Sequence, residues 1–373
     1  MKRHPLFIGG DIYRRPSFGP RHPLAIPRVS TVIDLARALG WLPDSVYVDS
    51  PRATPDQLAR FHDPDYIAAV MVAEARQHVT AETRAHYNLD TIEAPVYGDM
   101  FRRPATACGA SIRAAELVRH GGVVYSPASG THHGRPDRAS GFCFFNDPVL
   151  GLLRLLDLGV ERIMYVDIDA HHGDGVQDAF AHDARVLTVS VHESGRWPRT
   201  GAADDRAGGF ARNIPVPPGF NDDEMAYVLD RAILPLAEAY GPEAIMIQAG
   251  ADALADDPLA GLALSNRAHW AVVRALRDIT PRLIVTGGGG YNPWSVARCW
   301  TGVWGVLNDF EIPARLPPAG EAVLRALRWR RAVGRDPPGH WFTTLADTAR
   351  GGPVRAEVRV AARGAARPPL EAW

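Results

Sequence analysis

Three carboxylates and two histidines fall within Asp167-Ile168-Asp169-Ala170-His171-His172-Gly173-Asp174. The apolar run at 162–168 reads as a strand, and alternation along a strand puts Asp167 and Asp169 on one face. A carboxylate and an imidazole at Asp169 and His171 suit a divalent transition metal, zinc above all. A second motif, Gln248-Ala249-Gly250-Ala251-Asp252, also closes an apolar run. A carboxylate buried there is costly unless paired, so Asp252 is the candidate third ligand. Three protein ligands with an open fourth position is the pattern of catalytic zinc. Asp256 and Asp257 precede a proline and read as turn residues.

Two further motifs add proton and hydrogen-bond chemistry. Ser129-Gly130-Thr131-His132-His133-Gly134 carries a tandem imidazole pair suited to proton transfer near neutral pH. Asp167 and Asp174 are the carboxylates available to orient it. Thr286-Gly287-Gly288-Gly289-Gly290-Tyr291-Asn292-Pro293 lets backbone approach closely. No Gly-Lys-Ser/Thr follows, which excludes a Walker-type phosphate loop. The loop presents Tyr291, a neutral donor able to bond a developing oxyanion. Taken singly, each motif also reads as a polar turn, a solvated histidine pair or a tight glycine turn.

The elements that must position these groups alternate for some 300 residues. Apolar runs at 6–9, 46–48, 122–126, 162–168, 186–192, 244–249 and 283–286 predict strands. Helical patterns cover 29–40, 64–77, 104–119, 148–157, 222–240, 266–278 and 293–307. Asp63-Pro64 reads as a cap with a first-turn proline, and Asn221 with Glu224 as a capping box. Such alternation predicts an α/β fold with a mostly parallel sheet flanked by helices. All four polar motifs begin where a strand ends, and such sheets bind ligands outside the carboxyl ends of their strands.

Composition narrows the classes. The chain has 373 residues, 46% hydrophobic and 22% charged, which excludes a disordered protein. No apolar run reaches the ~18 residues of a membrane span. The basic start is followed by too few apolar residues for a secretory signal. Cys108, Cys143 and Cys299 are odd in number and far apart, which argues against a disulfide framework and for a reducing cytoplasm. A net charge of −1 gives no global field for nucleic acid. The stretch after residue 312 differs, with 11 arginines against 5 acids and frequent Pro and Gly. It is expected to be an extension, 313–373, on a catalytic domain of 1–312. Trp329 and Trp341-Phe342 should pack it partly on the body, with a frayed end. A nucleic-acid arm is the alternative, but it lacks interleaved aromatics.

The four motifs resemble the histone deacetylase family, on its bacterial deacetylase-like and acetoin-utilisation-like branch. So do His22-Pro23-Leu24-Ala25-Ile26-Pro27-Arg28, Gly141-Phe142-Cys143-Phe144-Phe145-Asn146-Asp147 and Gly287 to Trp300. The resemblance implies the arginase/deacetylase fold and zinc-dependent hydrolysis of an acetylated primary amine, either acetyl-lysine or a small acyl-amine. By position it implies Asp169, His171 and Asp252 as zinc ligands. His132 and His133 become the active-site pair backed by Asp167 and Asp174, and Tyr291 the group that polarises the carbonyl. Gly141, Phe142 and Leu259 would line an acyl-lysine tunnel, with Glu93 as the rim acid that grips the substrate backbone. It further implies structural potassium at Asp167, Ser190 and the carbonyls of Asp169, His171 and Val191. A second potassium would lie among the carbonyls of Phe180, Asp183, Val186 and Phe210. One stretch departs from the family. Trp197-Pro198-Arg199-Thr200-Gly201 stands where relatives often carry Phe-Pro-Gly-Thr-Gly. Trp197 should narrow the mouth and Arg199 disfavour cationic substrates. A binuclear manganese ureohydrolase shares the fold and an Asp-Ala-His pattern but needs further acids. A non-catalytic binding module should have lost a ligand, a catalytic histidine or the tyrosine, and all are present. The oligomeric state is left open.

Overall fold

The computed structural model describes residues 4–366 except 16, 20 and 21. Its strands are β1 (Leu6–Gly9), β2 (Tyr47–Asp49), β3 (Gly122–Ser126), β4 (Ile163–Asp167), β5 (Val186–Glu193), β6 (Ala211–Val216), β7 (Ala244–Gln248) and β8 (Arg282–Thr286). They form a sheet in the order β2-β1-β3-β8-β7-β4-β5-β6. Every neighbouring pair is parallel. The middle strands are buried on both faces, as their unbroken Ile, Val and Met runs require. Within β4, Met164 and Val166 join the core layer that holds Leu187, Ile245 and Trp300. Ile163 and Tyr165 join the opposite layer, with Val149 and Leu152 of the helix Asp147–Asp157. Burying each such side chain stabilises by roughly 1.5–3 kcal/mol. The layers hold the sheet and leave its carboxyl edge free for polar groups.

β6 has no apolar run to announce it. Ala211-Arg212-Asn213-Ile214-Pro215-Val216 carries two polar residues and a proline. Proline is tolerated because this is an edge strand, bonded only to β5.

The four polar motifs follow β3, β8, β7 and β4, which are adjacent at the middle of the sheet. Capped helices fix two of them. Asn146 accepts the Val149 N–H at 3.1 Å, starting Asp147–Asp157 beside the histidine loop. Asn292 accepts the Trp294 N–H at 3.1 Å, starting Pro293–Leu307 directly after Tyr291. That second helix is buried along its whole length. The sheet covers one side and the chain beyond residue 312 another. Trp341 stacks on Trp294 at 5.3 Å, and buried Arg298 meets Asp347 at 2.7 Å. Leu345, Val358 and Ala362 lie in the main core. The extension therefore packs through the helices Pro318–Arg325, His340–Thr343 and Ala356–Ala365. The expected frayed end, 367–373, lies outside the described residues. Among those described, no helix is long and apolar enough to cross a membrane, and the three cysteines are buried and unpaired.

Candidate active site

Asp169 and His171 leave β4, Asp252 leaves β7, and all three are buried. Their donor atoms lie within 4.8 Å of one another. His171 Nδ1 stands 2.9 Å from Asp252 Oδ2 and 3.2 Å from Asp169 Oδ1. Backbone N–H groups fix other carboxylate oxygens. Gly289 donates to Asp169 Oδ2 at 2.7 Å, and Ala170 to Asp252 Oδ1 at 3.0 Å. Glycine is required at two contacts here: a Cβ on Gly250 would strike the Asp169 carboxylate, and one on Gly289 that of Asp252. Burial alone would lower the His171 pKa, yet its bonds to Asp169 and Asp252 raise it to about 10. The space between these groups thus favours positive charge. Two carboxylates and one imidazole converging in a buried pocket fit a divalent transition metal. Among the described residues this is the one such cluster, smaller than a binuclear centre needs.

The tandem histidines stand beside it with rings 3.9 Å apart. Each donates through Nδ1 to a carboxylate at 2.7 Å, His132 to Asp167 and His133 to Asp174. Their environments separate their roles. Burial would depress His132, but the carboxylates of Asp167 and Asp169 raise it to about 9. Burial and the neighbouring His132 charge lower His133 to about 3, against the pull of Asp174. His133 is therefore neutral near pH 7. With Nδ1–H given to Asp174, its Nε2 lone pair is the acceptor available at the cavity it lines. Asp147 holds the loop from behind, accepting the N–H groups of Gly130 and Thr131 at 2.9 and 2.8 Å.

Tyr291 is 7% exposed at the same cavity. Burial and the nearby Asp252 and Asp169 carboxylates push its phenol far up, so it remains a proton donor. Its backbone N–H donates to Asp257 Oδ2 at 2.7 Å, and half-buried Arg28 donates to the Gly288 carbonyl at 2.8 Å. Asp257 is thus more than the turn residue expected. It joins the loop of Asp252 to the loop of Tyr291.

The cavity above these groups measures about 670 Å³. Gly141, Phe142, Trp197, Leu259 and Glu93 all line it, with Arg199 at the rim. Phe142 lies edge-on to Tyr291 at 5.9 Å, and Trp197 edge-on to His133 at 4.7 Å. Gly141 has φ +54° and lies so close to the Trp197 ring that no Cβ fits. The result is an apolar throat above a polar floor.

Residues 22–307 match the histone deacetylase domain. The chain belongs to the histone deacetylase family. It is 38% identical to histone deacetylase 9 of Arabidopsis thaliana over 318 residues, covering 83% of this chain and 73% of that one. Acetoin utilization protein AcuC of Bacillus subtilis is 30% identical over 353 residues, 91% and 90% of the two chains. The chain spans about three fifths of several other relatives, such as a histone deacetylase of Caenorhabditis elegans at 61%. The crystal structure of an HDAC homolog from Aquifex aeolicus superposes with a TM-score of 0.93 at 34% identity, covering 98% of this chain and all of that one. An HDAC homolog has also been solved complexed with SAHA, with the same score and identity. The fold is that of this family of amide hydrolases, the arginase/deacetylase α/β fold.

The positions that the family resemblance assigns to potassium are also grouped. Asp167 faces Ser190 in the β4–β5 register, with Val191 next along β5, and accepts the Asp169 N–H at 3.0 Å. The carbonyls of Phe180, Asp183 and Phe210 accept N–H groups at 3.1, 3.1 and 3.0 Å around Val186, where β5 begins. Several residues at the site gave no local signal in the sequence. Ile92, 85% exposed, stands at the mouth beside Glu93. Glu193 is held by Arg196 through bonds of 2.6 and 2.7 Å. His192 bonds the carbonyl of Gly201 at 3.0 Å and Ser190 at 2.9 Å, bracing the Trp197 loop. Ser190 and His192 share one face of β5, two residues apart, and only the fold reveals the contact with Gly201.

Proposed function

We propose that this chain hydrolyses the amide of an acetylated primary amine, such as acetyl-lysine, with one zinc ion held by Asp169, His171 and Asp252. The observation that carries the reading is convergence. The metal-capable trio, the carboxylate-backed histidines and Tyr291 meet at the floor of one apolar throat. Zinc, when bound, supplies a Lewis acid that lowers the pKa of water towards ~7 and polarises the acyl oxygen.

The chain's own groups do the rest. His133 Nε2 accepts the proton of the attacking water and returns it to the departing amine. Asp174 keeps that ring in the right tautomer. His132, cationic against Asp167, steadies negative charge as it develops. Tyr291 donates a hydrogen bond from its hydroxyl to the acyl oxygen, and such a donor is worth about 2.7–4 kcal/mol in the transition state. Phe142 and Trp197 flank the methylenes of the amine arm, and Leu259 and Gly141 complete the wall. Glu93 accepts from the substrate backbone at the mouth. The two groups of oxygens around Asp167–Ser190 and Phe180–Val186 bind potassium and stiffen the sheet edge. The extension beyond 312 completes the catalytic body. Metal analysis of the purified protein, with turnover of an acetyl-lysine peptide and an acetylated diamine, tests the reading. One zinc per chain and release of acetate are expected. Two essential metals, or no amide cleavage in the zinc-loaded protein, would overturn it.

A further inference from the structure

A second cavity, about 440 Å³, opens beside the first, and the two share Pro23. His22 lines the second cavity, and its ring also lies edge-on to Phe142 of the throat at 4.6 Å. The far wall is Arg328-Trp329-Arg330-Arg331 from the chain beyond residue 312. Trp329 anchors this segment against Trp294 at 6.3 Å, and the Arg331 guanidinium lies over the Trp329 ring at 6.0 Å. The three arginines are exposed.

Their charge is not spent inside the protein. Neighbouring Arg315 and Arg325 share Glu321 at 2.8 and 3.2 Å. Among the described residues, Arg328, Arg330 and Arg331 meet no carboxylate. Arg328 Nη1 instead donates to the carbonyls of Arg325 and Leu327 at 2.8 Å. Arg199, exposed at the mouth, also lacks an acidic partner among the described residues. Of the two carboxylates lining the throat, Glu193 is neutralised by Arg196 and only Glu93 is free of arginine. The surface that a substrate meets on leaving the throat is therefore strongly cationic, although the chain as a whole carries −1.

We infer that this arginine wall recognises carboxylate side chains flanking the acylated residue, so that the preferred substrate is an acetyl-lysine within an acidic peptide segment. This rests on the reading of the throat as an acyl-lysine site. A peptide whose acyl-lysine enters the throat must run over the rim. At ~3.3 Å per extended residue, a few positions carry it across Pro23 to the arginines. Guanidinium groups suit carboxylates through paired donors. A lysine-rich flank or a polyamine meets like charge there instead. Because the arginines are exposed, the attraction is screened by salt.

Fluorescein-labelled peptides with one central acetyl-lysine, flanked by glutamates or by lysines, test this. Binding is read by fluorescence anisotropy at low and at physiological salt, and turnover by acetate release. The glutamate peptide should bind about tenfold more tightly at low salt, as two or three exposed ion pairs allow. The same factor should appear in KM, with kcat unchanged. The triple variant R328Q/R330Q/R331Q should bring the two peptides close to parity, and the matching triple lysine variant should restore the preference. Equal affinities in the wild-type protein, or a preference that survives the glutamine variant, would overturn the inference. Tighter binding of a duplex oligonucleotide than of the glutamate peptide would also overturn it, marking a nucleic-acid face. Preferential binding of the glutamate peptide without any turnover would support the arginine wall while sinking the deacetylase reading, so the two failures are distinguishable.

Discussion

Tyr291 differs from phenylalanine by one hydroxyl, and its ring is already packed against Phe142. The Tyr291→Phe variant should fold as the wild type does and bind substrate as well, with kcat lower by about 10²–10³-fold. Turnover within threefold of wild type would remove the hydroxyl from the reaction. Asp252→Ala should lose the metal, because a three-ligand site has no ligand to spare. Elemental analysis after dialysis should find well under one ion per chain. Trp197 is 39% exposed and reaches His133. Trp197→Ala should change the ratio of kcat/KM between an acetyl-lysine peptide and an acetylated diamine, and an unchanged ratio would place specificity elsewhere. At this scale the grouping of the candidate residues was legible, because each sits within a polar motif that follows an apolar run. Arg28 and His192 were given no role and Asp257 only that of a turn residue, because each acts on backbone brought near by the fold.

Loops at the ends of β7 and β8 form the cradle around the metal-capable trio, and backbone-to-carboxylate contacts set their spacing. Gly289→Ala tests that element directly. The added methyl would collide with the Asp252 carboxylate, so metal content should fall and activity with it, while the sheet stays intact by circular dichroism. Retained metal at wild-type affinity would show that the loop yields. Seven of the eight strands could be placed from their apolar runs. β6 could not, because an edge strand need not be apolar on both faces and can hold Pro215. The short helix Asp174–Ala179 was also missed. It is only six residues long and starts within the polar motif itself.

Across the whole molecule, the chain beyond residue 312 is tied to the body by pairs that no local pattern announces. Arg298 meets Asp347, and Arg355 meets buried Glu224 through both carboxylate oxygens at 2.7 Å. Composition pointed to a basic, proline-rich tail; the three-dimensional pairing turns one of those arginines, Arg355, towards a buried carboxylate. Burial pushes the Glu224 pKa up, but the Arg355 guanidinium and N–H and the Asn221 N–H pull harder, leaving it below the usual glutamate value. A carboxylate with a depressed folded pKa stabilises above its unfolded value, ~4.3, and loses that contribution as pH falls through the folded one. Arg355→Ala should cost about 2–3 kcal/mol at pH 7, the low side for a broken buried pair because the guanidinium is partly exposed. Urea unfolding should show that gap steady above ~pH 5 and closing below ~pH 4; a constant gap would show that Glu224 is not the linked group. The helix Pro293–Leu307 has one more consequence, in the order of synthesis. It begins two residues after Tyr291 and is buried throughout, in part by Trp341, Thr344 and Asp347. A ribosome that has released every proposed catalytic side chain still leaves part of this helix uncovered. Hydrolysis should therefore switch on late, once residues near 347 have emerged, and nascent chains arrested at 312 should be inactive and held by chaperones.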